Sequence, residues 1–167
     1  MTRPLARSVA IVGAGMSGLI AARRLRDAGF TVQVFDRSRR VGGRLATRVS
    51  DQGTFDHGAQ YFTVRDPGFR IAVDAWRALG AVDTWTPRLV AIDAGGAQPA
   101  HSQLDDTTVR YVGVPAMNRI GEVLADGLAI RTDCRITRAR HDSAGWHLEA
   151  EVGDPHAAPG PAAGVPL

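Results

Sequence analysis

The run Val9-Ala-Ile-Val-Gly13-Ala-Gly15-Met-Ser-Gly18 constrains the fold more than any other stretch, because it sets three glycines between an apolar, β-branched segment and a helical one. Ser8 to Val12 reads as a buried parallel strand, and Ser17 to Ala28 as a helix that stops at Gly29. In such a unit Gly13 permits the tight turn, Gly15 lets a pyrophosphate approach the backbone, and Gly18 lets the helix pack closely on the strand. Ala22 keeps that contact small one turn later. Free N–H groups and the positive dipole end of the helix then favour phosphate without any lysine.

The next segment, Phe30-Thr-Val-Gln-Val-Phe35, reads as a second parallel strand ending at Asp36, eighteen residues after Gly18. A carboxylate at that edge can accept hydrogen bonds from both ribose hydroxyls of an adenosine, whereas a 2′-phosphate would be repelled. Directly after it comes Arg37-Ser-Arg-Arg40-Val-Gly42-Gly43-Arg44, where an ordinary NAD unit would begin its next helix. The glycine pair allows a second backbone approach to the pyrophosphate, and Arg44 can offer it a planar, permanently charged donor fork. Arg37, Arg39 and Arg40 read as a solvated basic loop.

On these residues the sequence resembles the flavin-dependent amine oxidase superfamily, whose members follow the glycine loop and ribose acid with a GGR segment. The run Phe55-Asp-His57-Gly58-Ala59-Gln60-Tyr61-Phe62-Thr63 further resembles the segment that passes the flavin ring in renalase-like FAD-dependent oxidoreductases, as does Tyr111-Val-Gly-Val-Pro115-Ala-Met117-Asn118, near which a helix starts in those proteins. The resemblance spans roughly residues 8 to 150. It implies FAD as cofactor, bound by Gly13, Gly15, Met16, Ser17, Gly18, Asp36, Arg37, Gly43, Arg44, Gly58, Ala59, Gln60 and Tyr61. Physically, Gly58 and Ala59 leave room for a flat ring, Gln60 can bond its polar edge, and Tyr61 and Phe62 can wall it. An ordinary turn with two core aromatics is the alternative. His57 reads as a hydrogen-bonded structural group, and no catalytic side chain is assigned.

The implied fold is α/β, a Rossmann-like FAD/NAD(P)-binding parallel sheet with an inserted α+β segment and the C-terminal half of the family fold missing. Residues 1–152 would form the FAD-binding domain, with a partial substrate-domain insertion at about 65–115, and 153–167 a disordered tail outside the family pattern. The chain is therefore expected to be truncated after about residue 151. The implied activity is hydride transfer from a reduced dinucleotide, such as a dihydronicotinamide, or from an amine to flavin and then to oxygen. A catalytically inactive FAD-binding fragment is the alternative, and an NAD-binding module a weaker one.

Composition sets the outer bounds. A chain of 167 residues with 44% hydrophobic content can bury one core. All twenty basic residues are arginine, which reads as coding bias, and their scatter without interleaved aromatics argues against a nucleic-acid partner despite a sequence pI near 9.9. The single cysteine, Cys134, sits in an expected strand as a buried thiol and leaves no disulfide or metal cluster. Arg3 and Arg7 before an apolar stretch imitate a secretory signal, but the loop glycines interrupt it, and no run is long enough to span a membrane, so cytoplasm is the default.

Further along, Asp66-Pro67 starts a helix with the apolar stripe Phe69, Ala72, Val73, Trp76 and Leu79, closed by Gly80. Val82 to Trp85 and Leu89 to Ile92 read as strands, with Asp93 to Gly96 as a turn, and Met117 to Ala125 as a helix. Leu128 to Arg131 reads as a strand returning to the nucleotide sheet, and Ile136 to His141 with Trp146 to Glu151 as a hairpin.

Overall fold

In the computed structural model, residues 8–88, 90–93, 100–103 and 107–153 are described. In chain order these residues form β1 (Ser8–Val12), α1 (Met16–Asp27), β2 (Thr31–Phe35), a 3-10 turn (Gly43–Leu45), β3 (Thr47–Ser50), β4 (Gly53–Asp56), α2 (Pro67–Ala78), β5 (Val82–Trp85) and β6 (Val90–Asp93). There follow β7 (Ala100–Gln103), β8 (Arg110–Gly113), α3 (Asn118–Ala125), β9 (Ala129–Arg131), β10 (Cys134–Asp142) and β11 (Gly145–Val152). The expected turn at 94–96 and tail beyond Gly153 lie outside the described residues, as do Arg3 and Arg7.

The chain divides into two compact units. The first holds the described residues of Met1–Gly43 and Gly127–Leu167. Its sheet is parallel, in the order β1-β2-β9, with Ser8 to Val12 in register with Thr31 to Phe35 and Gln33 to Phe35 in register with Ala129 to Arg131. The return strand expected near Leu128 is therefore β9, and the expected hairpin is β10–β11, two residues longer at its start than the alternation suggests. The connection of α1 places Leu19 and Ala22 fully buried, with Val32 and Val34 buried in β2.

One expectation for this unit is corrected. β1 is not a buried strand: it pairs with β2 on one side, no other described strand pairs with it, and Ser8, Ala10 and Val12 are exposed, Val12 to 62%. Its sequence is that of an interior strand, because apolar residues occupy both faces. The described residues cover one of those faces, where Gly18 of α1 lies over Ile11.

The second unit, Arg44–Asp126, is built of antiparallel pairs, β3–β4, β5–β8 and β6–β7, with α2 and α3. α2 starts as expected: the Asp66 carboxylate accepts the Phe69 amide at 2.7 Å and Pro67 occupies the first turn. Val73 and Trp76 bury its stripe, while Leu79 is 65% exposed. Leu79 is the residue at which the backbone leaves the helix, so the helical spacing no longer sets its direction. The bond from Ala81 N to Trp76 O then closes the last turn. Met117 and Ile120 are fully buried at the start of α3.

Candidate dinucleotide site

The glycine loop and Asp36 meet in the first unit. Gly13 takes φ +108°, a conformation open to glycine, and its amide donates to Phe35 O at 2.7 Å, tying the end of β1 to the end of β2. The Ala14 amide donates to Asp36 Oδ2 at 2.6 Å, and Ser38 N donates to Asp36 Oδ1 at 2.7 Å. Each carboxylate oxygen thus keeps acceptor capacity after being oriented by one backbone donor. Asp36 is further held through its backbone, by Asp36 N to Arg131 O and Cys134 N to Asp36 O, both 2.9 Å.

With the Gly13 and Ala14 amides engaged, the donors that helix geometry leaves without intrahelical acceptors are those at the start of α1, Ser17 and Gly18 among them. No acidic residue occupies that turn. Gly18 is there for space: a Cβ would stand 2.0 Å from Gly13 O and 3.4 Å from the Ile11 methyl. The sequence reading of helix-to-strand packing holds, and the loop carbonyl is the tighter constraint.

The glycine pair packs on the same loop. Gly42 N donates to Ala14 O at 2.8 Å, Gly15 and Gly42 form a parallel bridge, and a Cβ on Gly43 would come within 3.1 Å of Gly15 Cα. Thus the glycines let two backbone segments meet. A cavity of about 360 Å³ opens beside them, lined by Val12, Gly13, Phe35, Asp36, Arg37, Ser38, Gly43, Cys134, Arg135 and Ile136. It is large enough for a nucleoside-sized ligand. The last three lining residues were not among the candidates, yet topology points to them. Since β9 neighbours β2, the chain leaving β9 must run beside the chain leaving β2. Cys134 is 1% exposed, the buried thiol expected of it.

The remaining candidates lie in the second unit. Gly58 has no room for a side chain, as a Cβ would stand 2.0 Å from Arg44 O, and Ala59 N donates to the same oxygen at 2.8 Å. The position vacant at Gly58 therefore faces the Arg44 backbone. Arg44 and Gln60 are exposed, and Tyr61 is 44% exposed. The Tyr61 ring lies 5.9 Å from Trp85 and 5.3 Å from the Arg110 guanidinium carbon. Phe62 turns the other way, exchanging backbone bonds of 3.0 and 2.9 Å with Tyr111 and stacking on it at 5.7 Å. Tyr61 and Phe62 are therefore not two walls of one surface, since Phe62 belongs to the core cluster with Phe69 and Tyr111.

Residues 11–76 match the family described as an NAD(P)-binding Rossmann-like domain. A putrescine oxidase structure, from a redesign of its cofactor binding, superposes with a TM-score of 0.67 at 16% identity, covering 87% of this chain and 55% of that one. The chain carries a Rossmann-like dinucleotide-binding fold, which it shares with that putrescine oxidase structure. Protoporphyrinogen oxidase 2 of Arabidopsis thaliana is 43% identical over 61 residues, which are 36% of this chain and 12% of that protein. A flavin-containing monooxygenase of the same plant is 57% identical over 37 residues, 22% of this chain and 8% of its own length. The chain thus spans about an eighth or less of these relatives. The expectation of FAD stands with these matches. Among the described residues no helix is long and apolar enough to cross a membrane, and no three metal-ligating side chains cluster.

Proposed function

We propose that this chain is the FAD-holding part of an oxidoreductase of the renalase or amine oxidase type. One observation carries the reading: the Ala14 amide on the Asp36 carboxylate, which joins a phosphate loop to a ribose acceptor beside a nucleoside-sized cavity. The residues present fit the group. The adenosine would occupy the cavity with its ribose on Asp36, beside Arg37 and the Cys134–Ile136 segment. Its pyrophosphate would lie over the first turn of α1 at Met16 to Gly18, near Gly15 and Gly43, with Arg44 as the charged partner. Gly58, Ala59, Gln60 and Tyr61 would serve the flavin end.

Bound flavin supplies a two-electron acceptor for a reduced dinucleotide or an amine. The chain's own part is to bind and orient. The amides, with Arg44, hold the diphosphate, and the Asp36 carboxylate selects an unphosphorylated ribose. The finer assignment to the renalase type rests on Phe55 to Thr63 and Tyr111 to Asn118, and a cytoplasmic setting is proposed with it. The two-unit arrangement is read as an FAD-binding domain that carries part of a substrate domain.

A second reading is FAD binding without turnover: among the described residues no strand pairs with the outer edge of β1 and Val12 is 62% exposed, so these residues by themselves shield a reacting centre poorly from water. The purified chain titrated with FAD should quench flavin fluorescence and acquire the bound-flavin visible spectrum. A chain that neither takes up FAD nor gains thermal stability from it would sink the FAD reading. Anaerobic mixing of the loaded protein with dihydronicotinamides and with amines then separates the two readings, because turnover requires that the flavin bleach.

A further inference from the structure

We propose that Thr47 and Asp56 are positioning residues for the FAD site, acting through Arg44 and the Gly58–Tyr61 segment. The inference rests on the FAD reading above. Thr47 and Asp56 face each other as the first pair of the β3–β4 ladder. Thr47 is 9% exposed. Its hydroxyl donates to Asp56 Oδ1 at 2.5 Å and accepts the Asn118 amide at 3.2 Å. The Asp56 carboxylate accepts the Met117 amide, at 3.1 Å to Oδ1 and 3.2 Å to Oδ2.

These bonds do what α3 cannot do for itself. Its N-cap, Met117, offers no side-chain acceptor, so the first amides of the helix are met from the hairpin. A carboxylate at that end also faces the positive end of the helix dipole. The pair is thereby anchored to a buried helix start.

The same pair bounds two short connections. Thr47 follows Arg44 by three residues, and Asp56 precedes Gly58 by two. Ala59 N to Arg44 O, at 2.8 Å, and the close approach of Gly58 to that carbonyl complete a ring of contacts through Arg44, Thr47, Asp56 and Gly58–Ala59. Neither Thr47 nor Asp56 has to touch the cofactor. Their effect is to fix the backbone from which Arg44 reaches the diphosphate and to fix the entry of the Gln60–Tyr61 segment.

The test is a double-mutant cycle on FAD affinity in the full chain, read by quenching of flavin fluorescence and by the visible circular dichroism of bound flavin. Thr47→Val should weaken FAD binding by about tenfold and alter the flavin dichroism, and Thr47→Ser should restore both. In an Arg44→Ala background the same substitution should cost clearly less than in the parent, the remainder coming through the Gln60–Tyr61 segment, because residues that act as a unit do not add. An undiminished loss in that background overturns the positioning role, as does an unchanged affinity in a Thr47→Val protein with wild-type far-ultraviolet dichroism. Should Thr47→Val fail to fold, Asp56→Asn carries the same cycle, since the amide oxygen still accepts from Met117 N. Failure of the unmodified chain to bind FAD overturns the FAD reading and this inference with it, and is distinguishable from additivity, which overturns the positioning alone.

Discussion

At Gly18 a single missing methyl group decides whether the loop can form. An alanine there would set its Cβ 2.0 Å from Gly13 O, and backbone cannot swing aside as a flexible side chain would. Gly18→Ala is expected to cost about 1–3 kcal/mol of stability, as overpacking does, and to lower FAD affinity sharply, both measurable by denaturant unfolding with and without FAD. Asp36→Ala removes the acceptor of two backbone amides as well as the ribose partner. It should cost about 1–3 kcal/mol for the buried Ala14 amide left unsatisfied, the exposed Ser38 amide turning to water, so a stability loss without FAD present is the expected signature. An Asp36→Ala protein as stable as the parent would mean that the clamp on Ala14 contributes nothing. The turn at Gly13, the close approach at Gly18 and the strand end before Asp36 were legible in the sequence because each follows from one residue type at one spacing. The use of Asp36 as a clamp was not, since it depends on which oxygen meets which amide after folding. Gly58 was legible as a close-approach glycine but not in its direction, because what fills the space is the Arg44 carbonyl, fourteen residues earlier.

Elements with a local signal follow the sequence closely. The Asp66 cap and Pro67 set the start of α2, and the Ser143-Ala144 turn sets the register of the β10–β11 hairpin, where Asp142 pairs with Gly145. That tip has its own pH response. The Ala144 amide on Asp142 is the main cause holding its carboxyl below the ordinary 3.8, followed by the His147 ring at 3.0 Å. A carboxyl lowered in the folded state contributes stability above its unfolded value, and loses it as pH falls through the folded one. The tip should therefore loosen below the ordinary carboxylate range and stay closed above it, seen as a lower protection of the Ala144 amide, relative to its intrinsic exchange rate, in acid. Asp142→Asn should remove that pH dependence, and an unchanged acid profile would disprove the assignment. The β3–β4 hairpin and β8 had no comparable signal. Thr47 to Asp56 carries polar residues at most positions, and its ladder is secured by the Thr47–Asp56 pair and the α3 amides rather than by an apolar face. The burial of β1 was misread for the opposite reason, because its apolar pattern suits an interior strand and no described strand pairs with its other edge.

For the whole molecule, the boundary between its two units falls inside the Gly42-Gly43-Arg44 motif, so the candidate FAD contacts are divided between them. Loop, acid and cavity belong to one unit, while Arg44 and Gly58 to Tyr61 belong to the other. Binding to the folded state alone adds about 2.7 kcal/mol at a hundredfold excess over Kd. For a chain of this size that corresponds to a rise in melting temperature of about 5–10 °C. NAD, lacking a flavin end, should give less. The sharper measurement is hydrogen exchange with and without FAD. Protection should appear at Gly13 to Gly18 and at Cys134 to Ile136 in the first unit, and also at Arg44 and Gly58 to Tyr61 in the second. Protection confined to the first unit would leave the adenosine and diphosphate assignments intact but remove Arg44, Gln60 and Tyr61 from the site, because amides on a unit untouched by ligand gain no protection from it. Protection in both units, lost from the second in Arg44→Ala, would establish that one dinucleotide engages the whole chain.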